Sequence, residues 1–221
     1  TAMIRERLTG QSIPEFPLTI INDANAAALS EFVFGRTQFN RTPIVYLTMG
    51  VGVGVGIVSE NGLYRGHNGW AGEIGHSIMQ PIDGLLCACG QRGCVETLVS
   101  QRALSRLIQP DGALLSIETI KRRLAQGDAS VKTAIDAVGH YLGIVLHNIA
   151  ITLNPESIVI GGVMSQLEEA LIYPAIESFS AHSFRNSSHP TIRLCEFGLN
   201  ASAIGAAAAI LAKHLEPEGM P

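Results

Sequence analysis

The chain has 221 residues, 47% of them apolar and 15% charged, with a formal net charge of −4. That is enough apolar chain to bury a sizeable core, and its scattered Lys and Arg argue against a protein that grips a nucleic-acid backbone by charge alone. Every apolar run is broken by Gly, Asn or a charge before it reaches bilayer length, and the start carries no signal-peptide pattern, so a cytoplasmic protein without membrane contact is expected.

The first eight residues, Thr-Ala-Met-Ile-Arg-Glu-Arg-Leu, read as helix without an initiator Met, as if they were the last helix of a unit whose earlier strands are absent. Leu18-Thr-Ile-Ile21 is a short β-branched run, followed by Asn22-Asp23 and a helix from Ala24 to Phe34 that Gly35 stops. In α/β proteins ligands collect at the carboxyl ends of strands, so Asp23 stands either where a ligand arrives or where a helix needs a cap. The spacing leaves both open. Pro43–Met49 and Val55–Ser59 read as strands joined through Gly50-Val-Gly-Val-Gly-Val-Gly56, and Asn61-Gly62 supplies a turn into Leu63–Arg65. Alternate glycines let backbone amides approach a phosphate, but they also occur where strands pack closely.

Gly72-Glu-Ile-Gly-His76 and Cys87-Ala-Cys89-Gly-Gln-Arg-Gly-Cys94-Val-Glu96 come next, placing three of the four cysteines and a histidine in one glycine-rich stretch. Thiolates and a neutral imidazole are the ligands tetrahedral zinc favours. A Cys87–Cys89 disulfide would close a very small ring, and either pairing with Cys94 would strand a thiol. The expected site is therefore zinc on His76, Cys87, Cys89 and Cys94. Four protein ligands close the ion against water, which makes its role structural.

Downstream the pattern turns helical, over 99–109, 116–126 and 131–152. Lys121-Arg122-Arg123 reads as a solvated helix face, and His140 and His147, with no metal-spaced partner, as ordinary helix histidines. Ser157–Ile160 is a buried strand, Gly161-Gly162 a turn, and 165–181 a helix; Thr191–Phe197 and 201–214 repeat the pattern. The alternation predicts an α/β fold with a mainly parallel or mixed sheet covered by helices.

Asn22-Asp23-Ala-Asn-Ala-Ala-Ala, the glycine bend, Gly72–His76, the cysteine run, Asn154-Pro-Glu-Ser-Ile-Val-Ile-Gly-Gly162 and Gly205-Ala-Ala-Ala, in this order, resemble the ROK family of repressors, open reading frames and kinases. The resemblance implies the two-domain actin-like sugar-kinase fold, with 1–35 a remnant of the N-terminal domain and 36–221 the C-terminal domain carrying the zinc loop at 76–94. It implies zinc ligands at His76, Cys87, Cys89 and Cys94 and sugar contacts at Asn22, Asp23, Glu73, His76 and Glu96. In the family's kinases the residue matching Asp23 is the catalytic base, Gly50, Gly52, Gly161 and Gly162 match the nucleotide-phosphate contacts, and ATP and Mg²⁺ are required. Two departures weigh against kinase activity: the first phosphate loop, Asp-x-Gly-x-Thr, is absent, as it would be if the N-terminal half of the fold is missing, and, more tellingly, Gly50-Val51-Gly52 stands where kinases usually carry Gly-Thr-Gly. The run Gly93-Cys-Val-Glu-Thr97 looks more like the family's repressors than its kinases. The expected protein is the sugar-binding and oligomerising part, dimer or tetramer, of a transcriptional regulator whose DNA-binding winged helix precedes residue 1; an ATP-dependent sugar kinase is the alternative. Its partner is a monosaccharide or sugar phosphate.

Overall fold

The computed structural model of the protein describes residues 18–35, 42–183 and 189–215. The helix expected over the first eight residues lies outside them.

Helix α1 spans Asp23–Phe34, and β1 (Ile44–Met49), β2 (Val53–Ser59) and β3 (Gly62–Leu63) follow it. The short helix α2 (Glu96–Val99) leads into α3 (Gln101–Ile108), α4 (Ile117–Ala125) and the 25-residue α5 (Ala129–Leu153). The chain ends in β4 (Ser157–Gly161), α6 (Glu169–His182), β5 (Thr191–Leu194) and α7 (Ala201–Leu215). The strands form one mixed sheet of order β3-β2-β1-β4-β5, with β1, β4 and β5 parallel and β2 and β3 antiparallel to their neighbours.

The period-two pattern of β1 divides the molecule into layers. Val45, Leu47 and Met49 enter a large core with Leu142, Leu146 and Ile149 of α5 and Leu171 and Phe179 of α6. Ile44 and Tyr46 face the other way, onto Ala27 and Ala28 of α1 and Ala201 of α7. Helix α5 buries Val131, Ile135, Val138, Leu142, Val145 and Ile149 at three- and four-residue spacing, as a core helix should. By length and composition it could cross a bilayer, which corrects the run-length reading of the sequence, but half of its most apolar window is buried inside the fold.

Four other expectations shift. Leu18–Ile21 joins no strand among the described residues, because an extended segment counts as a strand only when another backbone accepts and donates its hydrogen bonds. The helix expected over 165–181 is split into a 3₁₀ turn, Val163–Leu167, and α6, with Glu168 between them at φ 49°. Strand β2 starts at Val53, so Gly54 and Gly56 lie within it rather than in a bend. These glycines serve packing: a Cβ on Gly56 would strike the Ala24 carbonyl, so its absence lets the N-terminus of α1 press directly on the sheet. The last strand stops at Leu194 instead of running to Phe197.

Candidate functional site

The N-terminus of α1, the carboxyl end of β1 and the glycine bend into β2 meet around one cleft. Asn22, not Asp23, caps α1: its side chain accepts from the Asn25 N–H at 3.1 Å. The cap therefore falls to Asn22, and Asp23 is left exposed at the helix start, with Oδ1 taking the Ala24 N–H at 2.9 Å.

Asn22, Asp23, Glu73 and Glu96 line a single cleft of about 420 Å³, together with Gly50, Gly52 and Thr48. Gly52 has a specific reason to be glycine. A Cβ there would lie 2.6 Å from Glu96 Oε2, which instead accepts from the Val53 N–H at 3.2 Å. The glycine bend thus holds the Glu96 carboxylate in the cleft across 43 residues of sequence. Its own amides are partly used: the Gly50 N–H donates to the Gly52 carbonyl at 2.9 Å.

Gly161 and Gly162 do not line this cleft. They end β4 beside β1, where a Cβ on Gly161 would meet the Tyr46 hydroxyl and one on Gly162 the Met49 backbone. Asn25 and Thr48 were missed by sequence reasoning. Asn25 Oδ1 is buried without a hydrogen-bond partner and its residue lines the cleft, so it offers an acceptor to whatever binds. The second Asn of Asn22-Asp-Ala-Asn25, one helical turn on, was the available signal.

The cysteine run folds as an irregular loop pinned by backbone bonds. Met79 and Gln80 N–H both donate to the Gly93 carbonyl, at 2.7 and 3.0 Å, the Gly93 N–H donates to Leu85 at 2.9 Å, and the Cys87 N–H to Gln91 at 2.8 Å. Gly93 sits at φ 71°, and a Cβ there would collide with the Gln80 carbonyl. The loop brings one ligand atom each from His76, Cys87, Cys89 and Cys94 within 4.8 Å of one another. Cys89 and Cys94 sulfurs are 3.6 Å apart, and Cys87 Sγ is 3.6 Å from His76 Nδ1. All four cysteines are free thiols, and two thiolates bound tetrahedrally at ~2.3 Å stand ~3.8 Å apart, so the donors fit a zinc ion.

Electrostatics agree. Burial and the neighbouring Cys89 and Cys87 sulfurs push the Cys94 thiol up to about 12, while the Gln91 N–H draws the exposed Cys89 thiol down. Converging thiols resist joint ionisation unless a cation neutralises them. His76 faces both sites: Nδ1 toward Cys87, and Nε2 3.9 Å from Glu73 Oε2. It does not itself line the 420 Å³ cleft. Elsewhere, Cys195 is half-buried with its thiol raised to about 11, chiefly by burial. His140 and His147 join no metal-spaced group among the described residues. Of the basic run, Lys121 pairs with Glu168 at 4.0 Å and Arg123 with Asp128 at 2.8 Å, structural uses of that helix face.

A model of the ROK family matches residues 11–214. The chain belongs to the ROK family. It is 33% identical to a glucokinase of Halalkalibacterium halodurans over 208 residues, covering 86% of this chain and 62% of the relative. It is 31% identical to the xylose repressor of Bacillus subtilis over 201 residues, covering 90% and 52%. The chain therefore spans between half and two thirds of these relatives. Among solved structures, the ROK family glucokinase of Streptomyces griseus, in complex with glucose and AMPPNP, superposes with a TM-score of 0.82 at 30% identity over 96% of this chain and 72% of that one. The architecture is the actin-like ROK sugar-kinase fold. Kinases and repressors alike carry it.

Proposed function

We propose that the chain is the sugar-binding part of a ROK transcriptional regulator. Asn22, Asp23, Glu73 and Glu96 hold a monosaccharide or sugar phosphate through paired hydrogen bonds to its hydroxyls, and His76 contributes its outward nitrogen. Zinc on His76, Cys87, Cys89 and Cys94 has a structural role, fixing the loop that carries Glu73 and Glu96 and taking no part in bond-making. In this reading the protein is a cytoplasmic homo-oligomer, and DNA is held by a winged helix preceding these residues in a longer chain.

The observation that carries the regulator reading is the glycine bend. Val51 is 44% exposed and lines the cleft, where a kinase needs a hydroxyl directed at phosphate. The neighbouring amides are also engaged, Gly50 N–H by Gly52 and Val53 N–H by Glu96. Phosphoryl transfer depends on positioned donors, and at this bend the hydroxyl is missing and two of the amides are engaged. The second reading, an ATP-dependent sugar kinase with Asp23 as base and Gly50, Gly52, Gly161 and Gly162 at the phosphates, draws support from the exposed Asp23 carboxylate in the cleft.

A coupled phosphorylation assay of the full-length protein across common hexoses and amino sugars with ATP and Mg²⁺ separates the two. Negligible turnover together with sugar-dependent release of operator DNA is expected. Turnover near the ~1–100 per second of ordinary kinases would establish the second reading instead.

A further inference from the structure

A second cavity, of about 370 Å³, adjoins the cleft, and Val51, Gly52 and Glu96 line both. Its other wall is different in chemistry. Ser100, at the N-cap of α3, Arg102 in its first turn and Arg106 in its last line it. Arg106 is half-buried and spends one donor, Nη2, on the Thr97 carbonyl at 2.7 Å, which leaves the rest of its fork. Arg102 is exposed. Neither guanidinium is in an ion pair among the described residues. Glu96 is the one acid in the lining, and its Oε2 is already held by the Val53 N–H.

Two guanidiniums with unspent donors suit a phosphate, because the planar fork matches two phosphate oxygens at once; the amides at the start of α3 add little, since the Gln101 N–H donates to the Gly50 carbonyl and the Ala103 N–H to Ser100 Oγ. A neutral hydroxyl of a sugar would leave most of those donors unpaired. We propose that this cavity is the anion end of the ligand site and takes a phosphate carried by the sugar, at the end of the ring that meets Glu96; the inference rests on the sugar-binding reading above. Asp23 lines only the first cleft. The phosphate held here is therefore not one made on a hydroxyl facing Asp23, and it distinguishes a phosphorylated ligand that is recognised from one that is produced.

Calorimetry on the full-length protein tests this with glucose, xylose and N-acetylglucosamine, each beside its phosphate esters at C1 and at the terminal carbon, and with ATP alone. One ester should bind about ten-fold or more tighter than its own free sugar, and Arg102→Glu and Arg106→Gln should each narrow that gap. The glutamine side chain of the Arg106→Gln variant keeps a donor for the Thr97 carbonyl, and Arg102 is at the surface, so both variants are expected to fold. If a free sugar binds and no ester binds tighter, the phosphate assignment falls while the sugar reading stands. If ATP alone binds and Arg102→Glu weakens it, the anion belongs to a nucleotide and the inference falls. If no sugar or ester binds, the sugar reading falls and takes this inference with it.

Discussion

The sheet with α5 and the cysteine loop hold side chains in place by opposite means. Leu142, Leu146, Ile149, Ile158 and Ile160 are all essentially inaccessible, so that region is fixed by apolar burial and close packing. Between His76 and Gly93 the fully buried residues are Gly84, Cys87 and Gly93 alone, while Ile78, Ile82, Leu85 and Leu86 are exposed. A loop with almost no core of its own needs another source of order. In the proposed reading a metal held by the convergent thiols and imidazole provides it, and the loop joins Glu73 on one side to Glu96, at the start of the well-packed α2, on the other.

The largest expected effect follows from that contrast. Structural zinc in small domains contributes on the order of 10 kcal/mol of folding free energy, so Cys89→Ser should lose zinc and with it the order of 76–94. Cys89 is exposed, so serine there removes a ligand without opening a cavity. Elemental analysis should find less than one zinc per chain, and hydrogen exchange should rise in the loop while α5 stays protected. Full zinc occupancy in that variant would remove the metal assignment. The converse change is Leu146→Ala, at a side chain with 0% exposure. It should cost about 2–5 kcal/mol in denaturant unfolding, with zinc content unchanged. Zinc loss in Leu146→Ala would mean that the two regions are not held separately.

The same contrast decides what was legible in the sequence. Ligand spacing is local, so His76, Cys87, Cys89 and Cys94 could be assembled from the chain alone, and a 3.6-residue apolar period placed α5 within two residues at its start. What stayed hidden depends on partners distant in sequence. Nothing local says that Gly52 makes room for a carboxylate at Glu96, or that Gly56 admits the Ala24 carbonyl. The buried Glu31 of α1 paired with Arg193 of β5 at 2.6 Å is likewise invisible in a sequence where they stand 162 residues apart. Helix patterns also do not reveal that Asn22 takes the cap and releases Asp23.

A smaller effect tests the link between loop and cleft. Glu96→Ala removes a charged acceptor and should weaken sugar binding by roughly ten- to a hundredfold, equivalent to about 1.5–3 kcal/mol, with unaltered secondary structure by circular dichroism. Val53 N–H loses its partner in the same variant. Unchanged affinity for the cognate sugar would show that the cleft does not use this residue.

The smallest expected effect lies at the start of α5. The Ser130 hydroxyl, followed by Arg123, holds the Asp128 carboxyl down at about 2, and the side chain caps the helix through the Ser130 and Val131 N–H groups. Because the folded value is below the unfolded one, the unfolded chain binds the proton first as pH falls. The stabilisation is therefore complete above about pH 4 and is lost as pH drops through about 2. In the proposed zinc reading acid also protonates the thiolates and releases the metal, so the total stability of the parent does not isolate this group. The difference between parent and Asp128→Ala does, since both lose zinc alike. That difference in unfolding midpoint should be constant from pH 7 to 5, shrink below pH 4 and vanish near pH 2. A difference that persists undiminished at pH 2 would place the value of this cap in geometry alone, and the apolar half of the molecule would then owe nothing to charge at its leading helix.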